Sequence, residues 1–499
     1  MSIQGFDPRT GAATGAPVAE TTVAEVDAIA ARAAAALGRW ARTPAAVRAA
    51  ALEGIAAAID AESTELAALA DRETALGLPR LTGEIKRTTS QLRLFADVLR
   101  EGSYLEATLD AADASSVPPR PELRRMLQSI GPVAVFAASN FPFAFSVAGG
   151  DTASALAGGS SVVVKAHEAH PQTSRATAAI VARALAAAGA PAGTFDIVYG
   201  VAAGAQLVRH PAIKAAGFTG STHGGRALFD LANARPDPIP FYGELGSVNP
   251  VLILPHAAAE RAKEIARGFA ASLTLGTGQF CTNPGLVFAP ATLVDELAAA
   301  VRQASGGAML TRRMRDQYLA GTQALAAAAE AVATGAESDA AFGATPHLFR
   351  VDLQTFAGDI ERFAEECFGP AALVVAYRDP QDAIALLGRL PGSLTASVHA
   401  APADAAEAMQ AADVLRGIAG RVVYNAWPTG VAVAWGMQHG GPWPATTNPL
   451  HTSVGATAIR RWLVPVTFQD WPDALLPDEL KDANPLRIPR RRNGVPGAG

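Results

Sequence analysis

Cysteine is nearly missing from this chain, with two in 499 residues. That scarcity excludes a disulfide framework and a cysteine-rich metal centre. It suits a reducing compartment, so a cytoplasmic location is expected. A surplus of basic charge is missing as well. With 41 Lys and Arg against 46 Asp and Glu the net charge is −5, and no basic footprint points to nucleic acid. Apolar runs are broken by Arg, Asp or Gly before they reach membrane-spanning length, so no membrane partner is expected. The opening Met1-Ser2-Ile3-Gln4-Gly5-Phe6-Asp7-Pro8 lacks the basic and apolar regions of a signal peptide. His and Cys do not recur at metal-ligand spacing, and no metal is expected. The phosphate-binding fingerprint G-x-G-x-x-G after a strand is also absent.

What is present reads as globular: 49% hydrophobic and 17% charged residues, in a chain long enough for two or three domains. Residues 1–18 read as a polar lead-in. Ala-rich helical spacing follows from Thr21 to Arg42, from Thr43-Pro44 towards Asp60, after a cap at Ser63, and from Thr82 to Arg100. A linker-like run, Ser115 to Pro121, precedes strand-like Leu123–Ile130. Strands Val133–Ala138, Ser161–Lys165, Phe195–Val198, Lys214–Phe218 and Ile239–Glu244 then alternate with helical patterns. Such alternation predicts a parallel sheet with crossover helices, whose ligands sit at the carboxyl ends of the strands. A second alternation begins at Val248–Leu254 and includes a long Ala-rich helix from Gly321 and strands Ala372–Tyr377, Ala396–His399 and Arg421–Tyr424. The tail, Asn484 to Gly499 with its cluster Arg490-Arg491-Arg492, reads as a solvated terminus.

One stretch organises these parts: Gly276-Thr277-Gly278-Gln279-Phe280-Cys281-Thr282-Asn283-Pro284-Gly285. It places Cys281 on a Gly-rich loop between a helical pattern and a buried strand. A lone cysteine is commonly a small buried hydrophobe. A thiolate on such a loop is also a strong nucleophile, and backbone N–H groups beside it can hold an oxyanion. Other polar groups fall at strand ends: Asn140 in Ser139-Asn140-Phe141-Pro142-Phe143, Lys165, and Glu244 in Glu244-Leu245-Gly246-Ser247-Val248-Asn249-Pro250. Glu365-Glu366-Cys367-Phe368-Gly369-Pro370 precedes a later strand, and Phe218-Thr219-Gly220-Ser221-Thr222-His223-Gly224-Gly225 opens a helix whose N–H groups could face a phosphate. Strand-end groups of this kind converge on one edge of an α/β protein. Cys367 reads as structural.

Together these motifs resemble the aldehyde dehydrogenase superfamily, from about residue 20 to about residue 470. The resemblance implies an α/β fold with two doubly wound α/β domains and a small β oligomerisation element. The boundaries it implies are 1–115 and 133–247 for the nucleotide-binding domain and 248–450 for the catalytic domain. Residues 116–132 and 451–475 would be oligomerisation strands, and 476–499 a tail. A homodimer or homotetramer is expected, through Leu123–Ile130 and Ile459–Val466. By position, Cys281 resembles the nucleophile, Glu244 the water-activating base, and Asn140 with the Cys281 N–H the oxyanion hole. Lys165 and Glu366 resemble ligands of the cofactor riboses. Gly220, Ser221 and Gly225 resemble the helix start beside the pyrophosphate; Leu245 and Phe368 resemble further cofactor contacts. The implied cofactor is NAD or NADP. Glu168, three residues after Lys165, would accept from the NAD ribose hydroxyl and repel the NADP phosphate, yet Lys165 or His167 could offset it, so both cofactors are expected to be accepted.

A finer resemblance is to α-ketoglutarate semialdehyde (2,5-dioxovalerate) dehydrogenases. It rests on Ala137 to Ser146, Gly278 to Gly285, Trp427-Pro428-Thr429-Gly430-Val431, His439 to Thr447 and Asp470 to Pro477. It implies a small aldehyde substrate, 2,5-dioxopentanoate. Long-chain fatty aldehyde dehydrogenases share part of the pattern. A coenzyme A-acylating version would not need Glu244, and a non-catalytic version would not need Cys281, Glu244 and Asn140 together. A cysteine hydrolase would need a His paired with Cys281; the flanking loop has none, and a distant one such as His439 stays open.

Overall fold

The computed structural model describes residues 1–497. Among the described residues, one sheet contains five parallel strands in the order Phe195–Val198, Val162–Lys165, Val133–Phe136, Ala215–Thr219, Phe241–Glu244. Successive residues of a strand point to opposite faces, and the core follows that rule. Val133 and Val135 join an apolar cluster with Leu52, Phe95 and Trp462, while Ala134 and Phe136 join another with Val26, Leu207 and Phe241. Both faces are therefore covered by helices, which is why these strands read as continuous apolar runs.

A seven-stranded sheet forms the second layer system, in the order Glu330–Thr334, His347–Asp352, Ala371–Tyr377, Leu286–Pro290, Val251–Ile253, Ser393–His399, Ala419–Tyr424. Its strands pair in parallel except at the first edge. Here too alternate residues separate, with Leu286 and Phe288 on one face and Val287 and Ala289 on the other. A third sheet pairs Leu463–Gln469 antiparallel with Leu123–Ser129, continuing through Thr108–Asp110 to Arg490–Arg492 and Val495–Gly497.

Several expected elements differ. The lead-in is a hairpin, Ser2–Phe6 with Ala13–Ala19; Gly11 closes its turn at φ +70° by donating to Asp7 O at 2.7 Å. Its Gly and Ala residues leave almost no alternation to read. The helix expected from Thr82 spans Leu78–Glu101, because Gly77 and a first-turn proline start it a turn earlier. Ser63 is the first residue of its helix and not the cap. The helix expected from Gly321 runs Arg312–Ala326, started by the Thr311 hydroxyl accepting from Met314 N–H, and the Ala-rich continuation enters the strand Glu330–Thr334. Helix propensity in that segment yields to sheet pairing, as tertiary contacts commonly dictate. Strand His347–Asp352 was not expected. Ile459 lies in a 3-10 helix, Ala456–Trp462, and the strand begins at Leu463. Nor is the tail a solvated terminus: Arg490–Arg492 pairs with Thr108–Asp110, and Ile488 is buried. Residues 498 and 499 of that expectation lie outside the described residues. No helix among the described residues is long and apolar enough to cross a membrane.

Candidate active site

Cys281 is carried by a helix fixed at both ends. Pro255–Thr274 begins where the buried Asp404 carboxylate accepts from His256 N–H at 3.0 Å and Ala257 N–H at 2.9 Å. A carboxylate there answers both the unpaired N–H groups and the helix dipole. At the other end Gly276, Thr277 and Gly278 are all left-handed, at φ +55°, +59° and +67°. Gly278 has no alternative, since a Cβ would lie 2.2 Å from the carbonyl carbon of Gly369. This turn reverses the chain towards strand Leu286–Pro290 and projects Cys281 between the two parallel sheets.

Two amides hold the loop. Gln279 donates to Gly276 O at 3.1 Å and Ala308 O at 3.2 Å, and accepts from Leu310 N–H at 2.9 Å. Buried Asn249, left-handed at φ +48°, donates to Cys281 O and Asn283 O, both at 2.9 Å. Sequence reasoning quoted both residues in their motifs and gave neither a role.

Glu244 ends strand Phe241–Glu244 and is buried. Its Oε1 lies 2.8 Å from His439 Nε2, and Ser453 donates to its Oε2. The same His439 Nε2 is 3.5 Å from Cys281 Sγ. Thus the structure brings Cys281, Glu244 and His439 together, with donor atoms within 4.8 Å of one another. No metal-like cluster was legible in the sequence spacing, yet these three would satisfy the donor types of one in space. Ser453 was missed altogether; no local pattern marks it.

Electrostatics assign the protons. Burial pushes the Glu244 carboxyl up, but the positive His439 and the hydrogen bonds from His439 and Ser453 outweigh it and hold the group below its ordinary value. Glu244 is therefore a carboxylate, an acceptor only, so Nε2 of His439 carries the hydrogen between them. Burial, and then the Glu244 charge, push the Cys281 thiol well above its ordinary value. Cys281 therefore rests as a thiol beside a carboxylate.

Asn140 is buried, and its Nδ2 donates to Gln279 O at 2.9 Å. An amide nitrogen carries two hydrogens, so one N–H stays available next to the cysteine loop. Among the described residues the Cys281 N–H makes no hydrogen bond either. Asn140 Nδ2 and the Cys281 N–H thus each keep a hydrogen without a partner among the described residues.

Of the remaining expected residues, Glu366 borders a cleft beyond strands Ala215–Thr219 and Phe241–Glu244, while Lys165, Glu168, Gly220, Ser221, Gly225 and Leu245 are not part of its lining. Thr222, Arg226, Gly246, Glu366 and Trp443 border it, and Phe368 lies in the adjoining cavity with Ser247 and Asn283. Burial pushes the Glu366 carboxyl up to about 7. Any Cβ at Gly246 would come within 2.6 Å of Glu366 Oε2, so only glycine keeps this cradle open. Lys165 is buried at its strand end and pairs with Glu168. Ser221 caps helix Thr222–Asn233 by accepting from Gly224 N–H. Gly220 N–H donates to Glu244 O at 3.0 Å, and Gly225 N–H to Ser221 O at 2.9 Å. Both glycine N–H groups are thus engaged within the protein, and Thr222 and His223 are the first-turn residues that border the cleft. Gly225 serves packing, since a Cβ would lie 2.1 Å from Leu245 Cδ2. A carboxylate, Glu366, and the open helix start at Thr222 and His223 around a cleft floored by Gly246 fit a dinucleotide.

Comparison with known proteins agrees with this arrangement. The model of the aldehyde dehydrogenase family matches residues 2–443. The chain is 46% identical to alpha-ketoglutaric semialdehyde dehydrogenase 2 of Azospirillum brasilense, over 99% of this chain and 96% of that protein. It is 44% identical to the alpha-ketoglutaric semialdehyde dehydrogenase of Acinetobacter baylyi, over 97% and 93%. Among solved structures, gamma-glutamyl-gamma-aminobutyraldehyde dehydrogenase of Burkholderia cenocepacia shares the fold at TM-score 0.81 and 23% identity, covering 94% of this chain and 92% of that one. With its cysteine, carboxylate and cofactor cleft so placed, the chain belongs to the aldehyde dehydrogenase family.

Proposed function

We propose that the protein oxidises 2,5-dioxopentanoate to 2-oxoglutarate with NAD or NADP, through a thioester on Cys281. The carrying observation is the placement of His439 Nε2 between Glu244 and Cys281, next to the near-full-length likeness to two alpha-ketoglutaric semialdehyde dehydrogenases.

In this reading Glu244 takes the Cys281 proton as sulfur adds to the aldehyde carbon. Asn140 Nδ2 and the Cys281 N–H receive the resulting oxyanion. Glu366 and Lys165 hold the riboses of the cofactor, which supplies the hydride acceptor. Loss of hydride from the carbon leaves a thioester. Glu244 releases the cysteine proton to solvent and then removes a proton from water, the water oxygen bonds to the acyl carbon, and the C–S bond breaks to release the acid, Glu244 returning its proton to the Cys281 sulfur. His439 N–H and Ser453 O–H aim Glu244 and favour its ionised form before each proton transfer.

A second reading has one observation in its favour. Cys281, His439 and Glu244 together are also the set for cofactor-independent hydrolysis of esters or thioesters. Retention of full turnover without NAD(P) would favour it.

The sheet edge supports self-association, since Leu463–Gln469 is a terminal strand of its sheet, and edges need cover. Light scattering after size exclusion checks for the dimer or tetramer.

The test of function is a set of initial rates on 2,5-dioxopentanoate, glutarate semialdehyde and a long alkyl aldehyde, each with NAD and with NADP. A clear kcat/KM advantage for 2,5-dioxopentanoate is expected. Preference for the long alkyl aldehyde would keep the chemistry and remove the substrate.

A further inference from the structure

Arg87 sits on helix Leu78–Glu101, facing the site, with two edges of its guanidinium unanswered. Its Nε and Nη2 are buried and have no hydrogen-bond partner. Those two atoms form one side of the planar fork, the side that matches both oxygens of a carboxylate. Leaving a buried charged donor unpaired is costly, and so the vacancy asks for an anion.

The surroundings aim this edge along the substrate path. Cζ of Arg87 lies 5.3 Å from the Phe145 ring and 5.7 Å from the Phe141 ring. The other neighbour of Phe145 is His439, at 6.4 Å between rings, and His439 touches Cys281 Sγ. The positive charge of Arg87 is felt at both Cys281 and Glu244. A five-carbon semialdehyde measures about 5 Å from aldehyde carbon to carboxylate carbon. A chain attached at Cys281 and running past Phe145 leads towards Arg87.

Neighbouring arginines are partly engaged, with one buried nitrogen each left unpaired, Nη1 of Arg80 and Nε of Arg421, against two adjacent ones on Arg87. Arg80 donates through Nη2 to Asn140 O at 2.7 Å and stacks on Phe280. Arg421 uses both Nη groups on the carbonyls of Pro428 and Gly430. Glu84, on the same helix, accepts from Phe143 and Ala144 N–H through Oε1; its charge acts on Arg87 more than those of Cys281 and Glu244 do, but no hydrogen bond joins it to the fork, and its Oε2 is also buried without a partner. Of the arginines facing this site, Arg87 is the one with a free fork.

We propose that Arg87 binds the carboxylate at the far end of the substrate, and so selects short aldehydes that end in a carboxylate. The proposal rests on the substrate reading given above and deepens it by assigning the residue that reads the charge.

The experiment compares kcat/KM for 2,5-dioxopentanoate with that for pentanal, an uncharged aldehyde of equal length, in wild type, Arg87→Lys, Arg87→Gln and Arg87→Met. In the wild type the charged substrate is strongly preferred. In Arg87→Met the preference ratio falls about 100-fold or more, chiefly through KM, and Arg87→Lys is intermediate because it keeps charge without the fork. Should Arg87→Met fail to fold, the Lys and Gln variants carry the same ordering. A wild-type ratio retained in the neutral variants overturns the assignment and leaves the substrate reading standing. A wild type without preference for the charged aldehyde overturns the substrate reading and the anchor with it.

Discussion

Glu244 and His439 share a 2.8 Å hydrogen bond inside the protein, although 195 residues separate them in sequence. The same imidazole nitrogen faces Cys281. A single N–H cannot point at both, and the carboxylate, as the charged acceptor, holds it. In the proposed mechanism His439 is thus a positioning residue for Glu244, and the cysteine proton has Glu244 as its destination.

That arrangement predicts a pH signature. Burial alone raises the Glu244 carboxyl, and His439 and Ser453 reverse the shift. Replacing His439 by Gln should move the acid limb of the kcat profile to higher pH and lower kcat about 100-fold. In stability the sign is the usual one for a depressed acid: the contribution is present above the unfolded value and lost as pH falls through the folded one. A pH–rate profile with an unmoved acid limb would remove His439 from this role.

Glu366 behaves in the opposite sense. Its carboxyl is pushed up to about 7 from 4.5, so the native state keeps a proton that the unfolded chain has lost between those values. Stability from this group therefore falls as pH rises through that window. Binding gains instead, because the ionised carboxylate is the better acceptor for ribose hydroxyls. Titration of NADH binding should show several-fold tighter affinity at about pH 8 than at about pH 6, and Glu366→Gln should flatten the dependence.

Glu168 pairs with Lys165 at the end of strand Val162–Lys165. Removing its charge in Glu168→Thr should shift the NADP over NAD ratio of kcat/KM upward by roughly tenfold, one close charge contact in partly screened surroundings. An unchanged ratio would show that another group selects the cofactor.

Asn249 holds the carbonyls of Cys281 and Asn283. Asn249→Asp replaces those donors with acceptors that repel both carbonyls. A displaced nucleophile should cost about 100-fold in kcat with a smaller change in KM. Stopped-flow measurement of the first turnover distinguishes this from weaker substrate binding.

Legibility in the sequence followed periodicity. Val133–Phe136 and Val162–Lys165 are apolar on both faces and bounded by breakers, and both were readable as buried parallel strands. The Ala-rich stretch after Gly321 was not, because alanine favours helix locally while strand Glu330–Thr334 is fixed by pairing with His347–Asp352. Cys281, Glu244 and Asn140 stood at loop and strand ends, where the topology brings such groups together. His439, Ser453 and Arg87 reach the same place only through folding: His439 is 158 residues from Cys281 and Ser453 is 209 from Glu244. For His439 a weak signal existed, a lone His before Gly440-Gly441-Pro442. Nothing local separates Arg87 from the other charges of its helix, and only the Phe141–Phe145 turn packed against it marks it out.

The thioester account is tested most directly by mixing Glu244→Gln rapidly with the preferred aldehyde and NAD(P), then following reduced cofactor and intact protein mass. The account predicts one equivalent of reduced cofactor per active site, then near arrest, with an acyl group on the Cys281 peptide. Turnover at the wild-type rate, or an acyl group on any other residue, would contradict it.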